Sequence, residues 1–307
     1  MSLGYLARKI GQAVLIVWGV STIVFVAVRL SGDPITLMVA DTAGTEEVAR
    51  LRRAYGFDRP LPIQYLTFLQ RVAQGDFGES LGFNLPALSV ALARLPATLV
   101  LAVASLGVAI LIGVPAGVLA ALYQHTLLDR VAMTLALLGQ STPSFWSGLL
   151  AILLFAAWWH LLPASGGETW RHLVLPAVTL GWFSAAKVSR VLRSAVLEVL
   201  AADFVRTARA KGLGGGTVLV RHVLLNALIG TTALLTLEFQ LLLGGAIITE
   251  TVFAYPGMGR LVIQAVGTRD YPLVQAIVLL FSVLLVLTNL LVDLLYPWLD
   301  PRISTER

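Results

Sequence analysis

Long apolar runs alternate with short polar stretches along this chain. The runs are too long for strands and too unbroken for helices with one wet face. A helix crossing a hydrocarbon layer of about 30 Å at 1.5 Å per residue needs about 20 mostly apolar residues. Six segments qualify, over roughly residues 10–30, 97–122, 132–159, 173–193, 226–249 and 273–297. Each is predicted helical, because an unpaired backbone polar group costs too much in lipid. The fourth is the weakest, since only residues 172–186 lack Lys, Arg, Asp and Glu before Lys187 and Arg190 arrive. Those two cations either snorkel to an interface or are shielded inside a helix bundle. The first segment follows Arg8-Lys9 as the core of a signal peptide would. It exceeds the roughly 7–15 apolar residues of such signals, and five further segments follow it.

Composition strengthens the membrane reading. Apolar residues make up 57% and charged residues 13%, with a mean hydropathy of +0.84. Soluble domains average about 45–50% apolar and about 25% charged. The net charge of +5 does not point to nucleic acid, because the basic residues gather beside apolar spans. Arg8 and Lys9 precede the first span, and Arg130 sits between the second and third. Lys187, Arg190, Arg193, Arg206, Arg209, Lys211 and Arg221 lie between the fourth and fifth. The opposite short loops hold Arg171, and Arg260 with Arg269. The positive-inside rule then puts both termini in the cytoplasm. The chain contains no Cys, which removes disulfides, thiolate metal sites and cysteine nucleophiles.

Residues 31–94 read as a small extracytoplasmic helical cap. Thr45 can cap a helix that carries Glu46 and Glu47 early, Arg50, Arg52 and Arg53 late, and Gly56 at its end. Pro62 suits the first position of a second helix, on which Ile63, Leu66, Leu69 and Ala73 share one face. The cap is either a packed structural element or a docking surface for a solute-binding protein.

Catalytic signatures are missing. None of the three lysines completes a P-loop, so the glycines at 214–216 are no nucleotide site. His125, His160, His172 and His222 lack zinc spacing, and no nucleophile elbow occurs. The polar segment Asp203-Phe-Val-Arg-Thr-Ala-Arg-Ala-Lys-Gly212 is the most distinctive in the chain. Residues 198–212 are predicted to form a cytoplasmic helix capped by Asp203. Val205, Ala208 and Gly212 form a small apolar strip on it that another protein's backbone can approach closely. Arg206 and Arg209 flank the strip, with Lys211 beyond, and offer contacts to carboxylates. The bland reading is a generic basic loop. The glycines at 214–216 would break this helix before span five.

In span five, Glu238 is the deepest carboxylate, with Gln240 nearby. Such a residue either faces a translocation path, or is held in a structural pair or as a protonated hydrogen-bond donor. Pro115 between Gly113 and Gly117, and Pro143, imply kinks or close helix packing.

Several stretches resemble one family. Arg206-Thr-Ala208, Gly212, His222 and Leu224-Leu225 fall on the Glu-Ala-Ala, Gly, Ile and Leu-Pro positions of the coupling loop of bacterial ABC-importer permeases. Ala208, Gly212 and Leu224 match strictly. Gly56-Phe-Asp-Arg-Pro-Leu-Pro-Ile-Gln-Tyr65, Gly75-Asp-Phe-Gly-Glu-Ser80, Gly244–Glu250, Thr251–Arg260 and Arg269-Asp-Tyr-Pro272 are similar to the first permease of peptide and nickel importers. The resemblance implies an all-α polytopic membrane protein of six transmembrane helices, with the type I ABC importer permease fold. Its parts would be residues 1–30, the cap 31–94, a five-helix core 95–298 with the coupling loop 194–225, and a cytoplasmic tail 299–307.

The same resemblance implies that residues 203–212 insert into an ATPase subunit and that the 244–260 region forms an outer gate-like loop. The expected partners are a paralogous permease, two ATP-binding subunits, a solute-binding protein and membrane lipid. No cofactor is expected on this chain, since ATP and Mg would sit on the ATPase. An ATP-independent channel or secondary transporter is the alternative.

Overall fold

The computed structural model describes residues 3–30, 45–54, 56 and 58–299. Residues 31–44 of the expected cap and 300–307 of the expected tail lie outside them. The described residues form eleven helices: α1 Leu3–Leu30, α2 Thr45–Ala54, α3 Leu61–Ala73, α4 Ala87–Leu122, α5 Leu127–Ser141, α6 Ser144–Trp158, α7 Arg171–Leu200, α8 Asp203–Ala210, α9 Gly215–Val252, α10 Met258–Gly267 and α11. The last, α11, runs Tyr271–Leu299. Among the described residues no strand forms, and Glu79 and Pro86 make a lone antiparallel bridge.

Among the described residues four helices, in α1, α4, α9 and α11, are long and apolar enough to cross a membrane. The single third span expected over 132–159 is instead two helices, α5 and α6, bent by 105°. Thr142 and Pro143 make the break, both extended at ψ 127° and 136°. Proline cannot continue the preceding ladder and drives the residue before it out of the helical region.

The fourth expected segment is one continuous helix, α7, but it falls outside those apolar candidates. Its burial supplies the reason. Leu175, Ala177, Leu180, Ser184, Val188, Ser189, Leu192 and Val196 are all buried in protein, and a helix wrapped by protein need not be apolar all round.

The chain divides into two compact units. One holds Ala97–Gly259, with α7 at its centre. On α4, Leu101, Ser105, Ala109, Gly113, Gly117 and Ala121 form the buried stripe, while Val103, Leu111 and Leu119 are exposed. Small residues inside and large apolar ones outside is the inverse of a soluble helix, and it lets backbones touch. A Cβ on Gly117 would stand 2.6 Å from the Ser189 carbonyl, and one on Gly113 2.8 Å from that of Ala185. The expected close packing at Gly113 and Gly117 is therefore against α7.

The other unit holds the described residues up to Pro96 together with Arg260–Leu291. Asp270 ties its two segments. Its carboxylate accepts from Ser80 Oγ at 2.5 Å and the Gly82 amide at 3.0 Å. It also accepts from the Leu273 amide at 3.2 Å, capping α11. Gly56 ends α2 with φ 71°, and a proline opens α3, as the sequence predicts. The face expected to pack on α3 does not. Ile63 and Leu66 are exposed, and Tyr65 and Phe68 meet Phe25 of α1 instead.

Candidate functional site

Three cations stand on successive turns of α7, and each meets a partner on a neighbouring helix. Lys187 Nζ lies 2.9 Å from Glu238 Oε1 on α9 and 4.6 Å above the Phe183 ring. Arg190 donates to Gln140 Oε1 on α5. Arg193 forms a two-pronged pair with Asp129, Nε to Oδ1 at 2.7 Å and Nη2 to Oδ2 at 2.8 Å. The His125 amide donates to the same carboxylate at 3.0 Å. Of the two fates open to Lys187 and Arg190, shielding inside the bundle is the one seen for Lys187, whose side chain is 21% exposed.

Glu238 is buried, at 1% exposure. Its second oxygen accepts from Ser184 Oγ at 2.6 Å. Ala227, Thr231, Glu238, Leu242 and Ala246 recur every four or seven residues and form the buried stripe of α9, which packs on α7. Glu238 is therefore held in an ion pair between α7 and α9. Gln240, half-buried, is two residues on. At 100° per residue that places it about 200° round the helix, on a different face from Glu238. Ser184 also borders a cavity of about 280 Å³ at the α5–α6 break, where Gln140, Ser141, Thr142 and Ser144 meet α7 and α9.

The segment 198–212 is not one helix. α7 ends at Leu200, and α8 covers only Asp203–Ala210. Asp203 is its first helical residue and makes no capping bond; its carboxylate lies 3.7 Å from Arg206 instead. The left-handed Gly212, at φ 80°, ends the turn after α8, and Gly215 and Gly216 already belong to α9. The break thus falls earlier than the 214–216 run suggested.

Val205 and Ala208 of the small strip face inward, whereas Gly212 is exposed, which corrects the expected role of the first two. Val205 is fully buried and Ala208 is 6% exposed. Both pack in one cluster with Ala121 of α4, Leu192 and Val196 of α7, and Val218, Val223 and Ala227 of α9. The outward face of α8 is Asp203, Arg206, Thr207 and Ala210, flanked by Phe204, Arg209 and Lys211, with Gly212 exposed beyond it. An α-helix seated on its own chain by a valine and an alanine presents a rigid, mostly basic ridge.

Two buried carboxylates besides Asp129 escaped the sequence reading. Glu250, at the end of α9, is fully buried and accepts from Thr98 Oγ1 at 2.7 Å. That hydroxyl in turn accepts from the Met258 amide at 2.8 Å. The Pro256-Gly257 turn lies so close over Glu250 that a Cβ on Gly257 would stand 2.1 Å from its carboxylate. The region expected as a gate-like loop is thus helix to Val252, a five-residue turn, then α10. Asp270 is the other. In the loop before α7, the Glu168 carboxyl is held below its ordinary range by backbone amides of its own residue and Gly167, and by His172.

Residues 113–305 match the family described as binding-protein-dependent transport system inner membrane component. Residues 2–102 match its companion, the N-terminal part of such membrane components. Glutathione transport system permease protein GsiC of Salmonella choleraesuis (strain SC-B67) is 39% identical over 302 residues, covering 98% of this chain and 99% of that protein. GsiC of Escherichia coli (strain K12) is 38% identical over the same extent. Among solved structures, the inward-facing MetNI methionine ABC transporter aligns with a TM-score of 0.57 at 20% identity, covering 69% of this chain and 96% of that one. An amino acid ABC transporter with histidines gives 0.56 at 18% identity, over 68% and 93%. These two carry the fold.

Proposed function

The chain belongs to the family of binding-protein-dependent transport system inner membrane components, and we propose that it builds one half of the pore of an ATP-driven importer for di- or oligopeptides, or for a peptide-like solute such as glutathione. It is a permease component of such an importer and not itself the ATPase. The observation that carries the solute class is the match to glutathione permeases over 98% of this chain.

A paralogous permease would complete the pore, with two ATP-binding subunits holding ATP and Mg on the cytoplasmic side and a solute-binding protein opposite. No cofactor sits on this chain in this reading. α8 meets the ATPase through its outward ridge of Arg206, Thr207 and Ala210, with Phe204, Arg209 and Lys211 at the edges. Val205 and Ala208 anchor that ridge, so a push on α8 is passed to α7 and α9 through their shared cluster. Six crossings with both termini cytoplasmic accommodate the bent α5–α6 pair as the third and α7 as the fourth. The cavity at that bend, beside Ser184, is the part of this chain best placed to line the path.

The composition of the purified complex tests this. Affinity capture of the chain is expected to bring down a second permease and an ATP-binding subunit. The partnered binding protein is expected to release a peptide or glutathione on denaturation. A chain isolated as a homo-oligomer without an ATP-binding subunit, or a binding protein loaded with a sugar, overturns the reading.

A further inference from the structure

We propose that α3 lies within one leaflet of the membrane and that the groove between α1 and α3 holds a phospholipid acyl chain. The contacts of α3 fix its depth. Tyr65 OH lies 2.6 Å from Thr22 Oγ1, and the Tyr65 and Phe68 rings stand 5.3 Å from that of Phe25. Thr22 and Phe25 belong to the apolar window Ala7–Ala27 of α1, so α3 packs beside hydrocarbon-level residues and not above them.

The rest of α3 suits that depth. Its open side carries Leu61, Ile63 and Leu66 at 60%, 47% and 65% exposure. In water these would form an unexplained apolar patch beside a polar flank of Thr67, Gln70 and Arg71. The lipid-facing side of α1 continues the same surface, with Ile23, Val26 and Leu30 at 68%, 47% and 83%. Between the helices runs a groove of about 430 Å³ bordered by Phe25, Val26, Leu30, Leu61, Pro62 and Tyr65. Its polar atoms are spoken for: Thr22 donates to the Trp18 carbonyl at 2.8 Å and meets Tyr65. An apolar groove without free polar partners does not hold ordered water, and its mouth opens where acyl chains are the solvent. Arg59 and Arg71, exposed at the two ends of α3, are placed to reach headgroup phosphates.

The membrane, and no protein, is thus the named occupant. The orientation proposed above decides only that the leaflet is the outer one.

The chain has no native Cys, so single-cysteine probes are clean. Leu66→Cys, with Ile63→Cys as the substitute should the first fail to assemble, is labelled with an environment-sensitive fluorophore in the complete complex in phosphatidylglycerol–phosphatidylethanolamine vesicles. Gln70→Cys, on the exposed polar flank, is the reference. Nitroxide-tagged acyl chains are expected to quench the Leu66 probe several-fold more than the reference, and iodide to quench it several-fold less, with or without the binding protein. Iodide quenching equal to the reference means the face is wet and overturns the proposal. Shielding from both quenchers means a protein partner covers it and overturns it equally.

Discussion

A lysine and a glutamate facing each other across two membrane helices cannot be altered singly without leaving a charge stranded. Removing one partner of a buried pair costs on the order of 3–5 kcal/mol, whereas replacing both by apolar groups of similar size is near neutral. Glu238→Leu alone is therefore expected to lower the melting temperature of the purified complex and its yield, while Glu238→Leu with Lys187→Met recovers most of the loss. A single variant as stable as the native protein would contradict the pairing at 2.9 Å. The depth of Glu238 was legible in the sequence, because a carboxylate in an apolar run announces itself. Its partner was not, since Lys187 lies 51 residues earlier on another helix and no local pattern joins them. Asp270 escaped the sequence reading for the same reason, since its bond to Ser80, 190 residues distant, has no local trace.

α8 illustrates what an apolar strip can and cannot reveal. The periodicity of Val205 and Ala208 was visible, yet an apolar strip does not say whether its cover is the same chain or another. Here it is the same chain, so Ala208→Trp would test folding and not docking. Val205→Glu is expected to bury an unpaired carboxylate, at a cost of several kcal/mol, and to reduce the amount of assembled complex. Arg206→Glu, on the exposed ridge, is expected to leave assembly and melting temperature unchanged and to lower solute-stimulated ATPase. Equal stimulation in the Arg206 variant would remove α8 from the coupling role. Gly117 and Gly107 form a matched pair on α4. A side chain at Gly117 meets the α7 backbone, whereas Gly107 has nothing within 4 Å. Gly117→Leu is expected to destabilise the complex strongly and Gly107→Leu hardly at all, read by thermal unfolding in detergent. The Gly113–Gly117 spacing already pointed to a close neighbour. The bend after α5 was signalled by Pro143, but the length of the apolar run concealed how far it turns.

Across the whole molecule, hydropathy marked out the long helices well where lipid surrounds them and poorly where protein does. α7 failed the apolar criterion because it is the buried centre of its unit. Orientation rests on the charge pattern alone, and cysteine labelling decides it: Thr169→Cys is expected to react with an impermeant reagent from outside, and Ala210→Cys only after the membrane is opened. In the proposed role this chain conducts a peptide-like solute only as part of a binding-protein-dependent, ATP-driven assembly. Uptake of labelled glutathione and a labelled dipeptide into vesicles containing this chain, a paralogous permease and the ATP-binding subunits tests that role most directly. Uptake of at least one is expected to require both ATP on the ATPase side and the binding protein on the other, and to stop with vanadate. Uptake that follows the solute gradient with neither ATP nor binding protein present would contradict the claim.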